Sequence, residues 1–251
     1  MNLQSFIQTV YSKDFLRRAC QHLLGFDTYL FIFSLFTGWR IQHTGHEKAF
    51  TYFTTLIAND GVILDIGANI GIMTVMLAKK CNRAVVYAIE PMPANSKALQ
   101  KVIRFHKLAN VTIFAMALGD ENAQVNMIMP IIHHARMQGL SHIMEAGKKE
   151  EAGEKCIVPM QRMDDMPALQ QLTKITAIKM DVENFEYQVL KGGEALLKKH
   201  RPIIYCELLD NHRRSQCIAF IKNIGYRIKV YSNGGLIDFT GQPAINFFFM
   251  P

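Results

Sequence analysis

Residues 62–71 read VILDIGANIG, in which a short apolar run is followed by a turn that contains two glycines. The run contains Asp65, the glycines are Gly67 and Gly71, and a helical segment, IMTVMLAKK, occupies residues 72–80. A buried strand, a glycine turn and a helix in this order form the first unit of an α/β fold. Ligands bind at such a turn because the carboxyl ends of parallel strands share one edge of the sheet. The stretch therefore predicts both a fold class and a binding site.

The segments that follow extend this alternation of strands and helices. Further strands are predicted by the apolar runs VVYAI (85–89), VTIFAM (111–116), ITAIKM (175–180) and PIIYCEL (202–208), and helices by residues 46–58, 95–107 and 187–200. Continuous Val/Ile runs that alternate with amphipathic helices indicate a mostly parallel sheet with helices on both faces. The final strands, RIKVYS, LIDF and INFFFM, are separated by tight-turn residues and are predicted to be antiparallel.

The composition is that of a globular protein, with 251 residues, of which 49% are hydrophobic and 20% charged. We predict a helical extension over residues 1–45 and a single α/β domain over residues 46–251. The five cysteines are odd in number and form no C-x-x-C pair, so neither a disulfide framework nor a structural zinc site is indicated. The first residues lack the basic-then-apolar order of a signal peptide, and we expect a cytoplasmic protein.

The net charge of +7 raises the question of an anionic partner. Because the basic residues are scattered in short groups, a solvated surface is favoured over a nucleic-acid interface. The apolar stretch at residues 25–39, GFDTYLFIFSLFTGW, is shorter than the ~20 residues that cross a bilayer, and Asp27 interrupts it. We favour a helix packed on the main domain, with a peripheral contact to a membrane surface or a lipid substrate as the alternative.

The glycine turn discriminates between two classes of ligand. A dinucleotide-binding turn, G-x-G-x-x-G, surrounds a pyrophosphate with bare amides, whereas here Asn69 stands where the middle glycine is required. Asp65 would also repel a phosphate, which disfavours a nucleotide-dependent oxidoreductase. S-adenosylmethionine suits these residues better, because backbone amides would hold its carboxylate and acidic groups would face its ammonium and sulfonium. Glu90, at the end of the next strand, would accept hydrogen bonds from the two ribose hydroxyls.

Four motifs, in order along the chain, resemble those of the FkbM-type S-adenosylmethionine-dependent methyltransferases. They are DIGANIG (65–71), the pair Glu90-Pro91, ALGD (117–120) and IKMDVENFEYQVLKGG (178–193). The resemblance implies a class I methyltransferase fold, which is a Rossmann-like, mostly parallel, seven-stranded sheet with one antiparallel strand. Asn184 stands where the family usually carries glycine, and we expect the turn to survive because asparagine tolerates a positive φ.

The resemblance also implies roles for individual residues. The expected cofactor contacts are the methionine-side loop (Asp65, Ile66, Gly67, Ala68, Asn69 and Gly71), the ribose ligand Glu90 with Pro91, the adenine wall (Ala117 and Leu118), Asp120 near the adenine rim, and Asp181 at the end of the fourth strand. Structural roles are the alternative for three of them: Asp65 as a partner of loop amides, Gly71 in helix packing and Asp120 as a cap or turn residue. We expect Gly67→Val to abolish cofactor binding in a folded protein, because the side chain would fill ligand space.

Methyl transfer to a hydroxyl needs a base, because the acceptor proton must leave as the methyl group arrives. The carboxylates predicted at the same edge of the sheet are Asp181, Glu183 and Glu207, with His142 as a further candidate. Three converging carboxylates would also bind a divalent cation such as magnesium, although no ligand spacing demands a metal. The expected reaction is O-methylation of a small-molecule, sugar or lipid-linked acceptor.

Residues 122–160 form an insertion between the third and fourth strands, predicted as two strands with a long connector. Such loops often cover a site, and this one contains polar residues suited to a hydroxylated acceptor: His133, His134, Arg136, Gln138, Ser141 and His142. A nucleic-acid methyltransferase would need clustered basic and aromatic residues, or a base-holding tetrad where residues 181–184 read DVEN. We therefore expect no nucleic-acid partner.

Overall fold

The computed structural model describes residues 3–144 and 151–251, with the backbone alone described for residues 3–13. Within these ranges the helices are α1 (Leu3–Leu24), α2 (Phe26–Thr44), α3 (Lys48–Leu56), α4 (Ile72–Lys80), α5 (Pro93–Phe105), α6 (Pro167–Gln170), α7 (Glu186–Lys191), α8 (Glu194–His200) and α9 (His212–Asn223). The strands are β1 (Val62–Ile66), β2 (Val85–Ile89), β3 (Val111–Phe114), β4 (Ala117–Leu118), β5 (Ala123–Ile132), β6 (Ala135–Arg136), β7 (His142–Ile143), β8 (Gly153–Gln161), β9 (Ile175–Met180), β10 (Ile203–Glu207), β11 (Arg227–Ser232), β12 (Gly235–Asp238) and β13 (Asn246–Met250). Short 3₁₀ turns span Gln138–Leu140 and Met163–Asp165.

The main sheet has the predicted α/β arrangement, with strands in the order β12-β11-β13-β10-β9-β1-β2-β3. Strands β10, β9, β1, β2 and β3 are parallel, and β13 pairs antiparallel with both β10 and β11. The sheet has eight strands where the resemblance implied seven, because β12 folds back on β11. Asn233 and Gly234 between them both have positive φ (48° and 89°), the backbone that a tight hairpin turn requires.

Both faces of the parallel strands are covered, which explains why their sequences are predominantly apolar. All five residues of β1 are buried. On one face Phe50 and Phe53 of α3 pack with Tyr205 and Phe248 of the sheet. On the other face apolar residues of β9 and β13 form one cluster with those of α7, α8 and α9. This double packing holds the carboxyl ends of the strands in fixed relative positions.

The segment predicted as one helix over residues 187–200 forms two helices, α7 and α8, separated by Gly192 and Gly193. A Cβ at Gly192 would lie 1.8 Å from the carbonyl oxygen of Gly119, and a Cβ at Gly193 would lie 2.1 Å from Met163 Cε. The prediction of a single helix is wrong because these glycines bring the helix junction against the loop after β4.

The N-terminal helices pack mainly on other helices: α1 lies against α2 and the short strand β6, and α2 lies against α4 and α5. Helix α2, which contains the apolar stretch 25–39, packs on α5, where Tyr29 and Leu30 are buried with Ala98. Gly45 closes α2 in a left-handed conformation with φ 62°. Among the described residues no helix combines the length and the apolarity needed to cross a membrane. The division between an extension and a domain at residues 45 and 46 falls between α2 and α3 and stays a prediction.

The insertion forms a second, smaller sheet, with strands in the order β4-β8-β5-β6 and with β7 paired to β5. Its two long strands, β5 and β8, are antiparallel neighbours and match the two strands predicted there. The connector between them contains β6, β7 and a 3₁₀ turn, and its residues 145–150 lie outside the described ones. Residues 137–143, named the cover segment here, reach the carboxyl edge of the main sheet.

Candidate active site

A pocket, named the first pocket here, opens at the carboxyl ends of β1, β2 and β9, the edge where open α/β sheets bind ligands. Its walls come from the β1–α4 loop, the end of β2, β4, the cover segment and the loop after β9. Predicted site residues that line it are Ile66, Gly67, Asn69, Glu90, Pro91, Ala117, Leu118, Asp181 and Glu183. The fold thus brings together residues from four motifs that are distant in the sequence.

The β1–α4 loop is held by hydrogen bonds to the end of β2. The amides of Gly67 and Ala68 both donate to the Ile89 carbonyl oxygen at 3.0 Å. Gly67 has φ 75°, and a Cβ there would lie 1.8 Å from the carbonyl oxygen of Asp181. The expectation that Gly67→Val acts by filling ligand space is therefore wrong, since this glycine is needed for the packing of the loop on the end of β9.

Glu90 lines the first pocket and is buried, with 4% of its surface exposed. Its Oε2 accepts a hydrogen bond from Asn69 N at 2.7 Å, and its Oε1 accepts one from Met92 N at 2.9 Å. Burial raises the pKa of Glu90 to about 7, against these hydrogen bonds and the Lys179 charge, which act to lower it. Because each carboxylate oxygen has two lone pairs, Glu90 holds the loop and retains acceptor capacity for a ligand.

Two amide oxygens add to the acceptors in this pocket. Asn69 Oδ1 and Asn95 Oδ1 are buried, and within the described part of the chain neither has a hydrogen-bond partner. Both residues line the first pocket. A buried acceptor without a partner costs about 1–3 kcal/mol, so a ligand that donates hydrogen bonds here would recover that cost. The polar end of the pocket therefore suits a ligand with hydroxyl or ammonium groups.

Asp65 faces the protein interior and is fully buried. Its Oδ2 accepts a 2.6 Å hydrogen bond from Thr74 Oγ1, and its Oδ1 lies 3.4 Å from Lys179 Nζ. Asp65 and Lys179 are register partners on the neighbouring strands β1 and β9. This geometry corrects the expectation that Asp65 faces the cationic groups of a ligand, because its charge is balanced inside the protein.

Lys179 belongs to this edge but is absent from the predicted site residues. Its Nζ donates to the Gly67 carbonyl oxygen at 2.8 Å and lies 3.8 Å from Asp181 Oδ2. Burial alone would lower the pKa of Lys179, but the charges of Asp65 and Asp181 outweigh it and hold the pKa above its usual value. A lysine in the apolar run ITAIKM is the signal in the sequence, since a buried lysine requires an acidic partner.

The apolar end of the first pocket contains the predicted adenine wall. Ala117 and Leu118 form β4, which pairs with β8, and they line the pocket together with Phe185. Asp120 lies outside the pocket, where its Oδ2 accepts a hydrogen bond from Lys191 Nζ at 2.9 Å. Asp120 therefore pairs with α7, and its predicted place near the adenine rim stays a prediction.

A second pocket lies on the other side of the β1–α4 loop and meets the first at Gly67, Asn69, Asp181 and the cover segment. Helix α2 forms one of its walls with Phe33 and Ile41. The two pockets thus share one rim, and Asp181 lies on it.

The remaining two loop residues differ in their surroundings. Ala68 lines the second pocket. Gly71 has φ 87°, and a Cβ there would lie 2.6 Å from Leu99 Cδ1 of α5. Gly71 therefore serves helix packing, which was the alternative to a cofactor contact.

Carboxylates converge where the two pockets meet. The side chain of Asp181 is 40% exposed. Burial and the charges of Asp181 and Glu207 raise the pKa of Glu183 to about 8, and burial and the Asp181 charge raise the pKa of Glu207 to about 7. Glu47, which lines the second pocket, is a further carboxylate that was not predicted, and its pKa is raised by burial and by Asp181. In the described ranges no three His, Cys, Asp or Glu side chains are arranged to hold a metal ion.

The turn after β9 has the backbone that was predicted for it. Asn184 has φ 71°, and Glu183 before it also has a positive φ, 52°. The Asn184 carbonyl oxygen accepts a hydrogen bond from Arg213 Nη1 at 2.5 Å, and its amide donates to Glu186 Oε1 at 3.1 Å. These bonds hold the turn and with it the position of Glu183 at the pocket.

His142 lies farther from the junction of the two pockets. Its Nε2 is 3.2 Å from Glu151 Oε2, and it shares a surface depression with Glu183. Gln138 and Ser141 of the cover segment line the first pocket. Other polar residues of the insertion pair elsewhere: His133 with Asp14, and Arg136 with Glu154.

A model of the methyltransferase FkbM domain matches residues 65–228, which is more than half of the chain. The chain belongs to the FkbM methyltransferase family. The match confirms the resemblance seen in the four motifs. All of the predicted cofactor and base residues, as well as Lys179, fall within the matched FkbM region.

Similar proteins are distant in sequence. Methyltransferase 1 of Beauveria bassiana (strain ARSEF 2860) is 25% identical over 166 residues, which cover 59% of this chain and 65% of that protein. The AMB antimetabolite synthetase AmbE of Pseudomonas aeruginosa is 26% identical over 175 residues, which cover 58% of this chain and 8% of that protein. The crystal structure of an FkbM methyltransferase from Methylobacillus flagellatus KT has a TM-score of 0.50 and 19% identity, over 76% of this chain and 44% of that one. This chain thus spans less than two thirds of each relative, and the structural likeness confirms the class I methyltransferase fold.

Proposed function

We propose that the protein binds S-adenosylmethionine in the first pocket and transfers its methyl group to a hydroxyl of an acceptor held in the second pocket. The observation that carries the proposal is a single pocket that joins buried acceptor atoms to an apolar slot. Glu90, Asn69 and Asn95 supply acceptors for ribose hydroxyls and an ammonium group. Ala117 and Leu118 border the slot, which suits a flat, weakly polar adenine ring.

Methyl transfer to a hydroxyl requires the protein to orient the acceptor and to accept its proton. When bound, S-adenosylmethionine supplies a methyl group that is already activated by the sulfonium. Asp181 lies on the rim shared by both pockets, so its carboxylate is placed to accept the proton of a hydroxyl that enters from the second pocket. Glu183 lines the first pocket and has a pKa of about 8, near neutrality, so we assign it the exchange of that proton with solvent. Glu207, whose pKa is raised to about 7 by burial and by the Asp181 charge, is the further candidate.

The walls of the second pocket favour an amphipathic acceptor. Phe33, Ile41 and Met73 supply apolar surface. Asp181 supplies a carboxylate at the rim shared with the first pocket, and Glu47 adds a second carboxylate to the lining. A molecule with an apolar body and a hydroxyl at one end matches this distribution, in keeping with a small-molecule or lipid-linked acceptor.

Isothermal titration with S-adenosylhomocysteine tests the cofactor assignment. Glu90→Ala should weaken binding at least tenfold, about 1.4 kcal/mol, because two hydrogen bonds to a charged acceptor are lost together. Glu121→Ala removes an exposed carboxylate away from the pocket and is the matched control, expected to bind as the parent does. Equal affinity in Glu90→Ala would refute the ribose assignment, and tight binding of NADH in place of S-adenosylhomocysteine would favour an oxidoreductase.

The identity of the atom that becomes methylated tests the reaction class. The protein is incubated with methyl-labelled S-adenosylmethionine and fractionated small molecules and lipids, and the labelled product is identified by mass spectrometry. A methyl group on oxygen supports the proposal. A methyl group on nitrogen or carbon would contradict O-methylation and would remove the need for Asp181 as a base for a hydroxyl.

A further inference from the structure

The outward face of helix α2 carries an exposed apolar stripe. Ile32, Phe36 and Trp39 are 46%, 57% and 56% exposed, and with Thr28 and His43 they follow one another at intervals of three or four residues along the helix. The rings of Phe36 and Trp39 stack with centroids 6.3 Å apart, and those of Trp39 and His43 with centroids 4.8 Å apart. Since the opposite side of α2 is already buried on the domain, this stripe is apolar surface beyond what packing requires.

Basic residues lie on the neighbouring helix. Helix α5 is joined to α2 by the ion pair of Lys97 with Asp27 and by the edge-on contact of Phe31 with Phe105. The ring of Phe105 is itself 58% exposed. Residues 93–107, which contain α5, carry four Lys or Arg residues and no Asp or Glu. With Lys97 paired to Asp27, the other three basic residues, Lys101, Arg104 and Lys107, give the segment beside the stripe a net positive charge.

We propose that this docking face, formed by the exposed stripe of α2 and the basic side of α5, binds the surface of an anionic lipid bilayer. Helices that lie on a membrane place apolar side chains at the headgroup boundary, with tryptophan at that level and basic groups beside acidic headgroups. The positive charge favours an anionic lipid surface over a second copy of the chain as the partner, because two copies of the docking face would bring like charges together.

The position of the docking face relates it to the candidate site. The inner side of the same helix lines the second pocket through Phe33 and Thr37. Docking would therefore hold that pocket beside the lipid, where an amphipathic acceptor is concentrated. This link to catalysis rests on the proposed function, whereas the bilayer contact itself does not.

The fluorescence of one residue tests the contact. Trp39 is the single tryptophan of the chain, so tryptophan emission reports on the docking face alone. The full chain is mixed with phosphatidylcholine vesicles that contain about 30% phosphatidylglycerol, which supply the anionic surface. We expect a blue shift of the emission and co-sedimentation with the vesicles, both absent with pure phosphatidylcholine and reduced by about 0.5 M salt. An emission spectrum unchanged by anionic vesicles would overturn the proposal.

Variants separate the apolar contribution from the charge. Replacing Ile32 and Phe36 together with glutamine keeps the tryptophan reporter and should weaken vesicle binding at least tenfold. Arg104→Glu reverses one charge on α5 and should weaken it about tenfold. Ile157→Gln, at a side chain 70% exposed on β8, and Lys199→Glu on α8 are the matched controls and should bind as the parent does. Equal losses in the test and control variants would overturn the assignment of the face.

Self-association is the competing outcome, and sedimentation velocity without lipid measures it. A blue shift that grows with protein concentration in lipid-free buffer, together with dimer formation, would overturn the lipid proposal in favour of a dimer face. A blue shift with anionic vesicles at a concentration where the chain is monomeric supports the proposal. Because neither measurement uses turnover, the result is independent of the identity of the acceptor.

Discussion

Replacement of Lys179 by methionine should destabilise the protein far more than loss of a surface lysine. Methionine keeps most of the apolar stem but removes the ammonium group that contacts the Gly67 carbonyl oxygen and Asp65. Asp65 is then left fully buried with the hydroxyl of Thr74 as its remaining partner. An uncompensated buried charge is among the few causes of a large loss of stability from one substitution.

The expected loss in the free energy of unfolding is about 3–5 kcal/mol, the usual cost when one partner of a buried ion pair is removed. The contact of Lys179 with Asp181 adds little to this figure, since Asp181 is 40% exposed and screened by solvent. The pKa of Lys179 is raised in the folded state, so its stabilisation is complete below the unfolded lysine pKa of about 10.4 and is lost only as the pH rises through the folded pKa. A measurement at neutral pH therefore sees the whole effect.

Urea unfolding at neutral pH without ligand, followed by circular dichroism, measures the change. Lys198→Met is the control, because Lys198 pairs with Glu194 on the surface at 2.6 Å and its loss should cost about 0.5 kcal/mol or less. Adding Asp65→Asn to Lys179→Met should recover at least about 1 kcal/mol, since it removes the orphaned charge and keeps an acceptor for Thr74. A cost no larger than that of Lys198→Met, or no recovery with Asp65→Asn, would refute the reasoning.

Three further results are expected. Asp181→Asn, which keeps the shape and removes the charge, should lower turnover about a hundredfold in methyl-transfer kinetics. Its affinity for S-adenosylhomocysteine, measured by calorimetry, should stay within about threefold of the parent. Full turnover would exclude Asp181 as the base. Because the pKa of Glu90 is about 7, roughly a tenth of the Glu90 side chains are ionised at about pH 6. The affinity for S-adenosylhomocysteine should therefore fall about tenfold between about pH 8 and pH 6. An affinity that does not change with pH in calorimetry would contradict the role of the Glu90 carboxylate. Gly67→Ala should lower the free energy of unfolding by about 2 kcal/mol or more. Gly45→Ala is the control and should cost about 1 kcal/mol, because Gly45 also has a positive φ but no described atom lies within 4 Å of the added Cβ. Equal losses in urea unfolding would show that the close approach to Asp181 does not matter.

The strands around the site could be predicted closely from the sequence. In a parallel sheet buried on both faces the apolar run and the strand coincide, and β1, β2 and β9 begin and end at the predicted residues. The positive φ of Asn184 was also predictable, because residue type and motif position both favoured it. The position of Glu90 at the pocket followed from its place at the end of a buried strand.

What could not be predicted depends on which strands are neighbours. Asp65 before a glycine turn has the pattern of a ligand contact until β9 is known to pair with β1 and to bring Lys179 alongside it. The same holds for Gly67, whose close neighbour is the backbone of Asp181 and which appeared in the sequence as a residue that makes room for a ligand. The lysine in the apolar run of β9 signals an acidic partner without identifying it, and the close approach at Gly67 leaves no local signal, because each contact joins segments that are far apart in the chain.

Gly67 and Lys179 are 112 residues apart in the chain, which delays the assembly of this edge during translation. At about 5–20 residues per second, on the order of ten seconds separate the synthesis of β1 from that of β9. During that interval the nascent chain contains Asp65 without its cation and β1 without its neighbour β9. A chain that terminates before residue 179 lacks the cation that balances Asp65, and we expect chaperones and proteases to recognise it as unfolded.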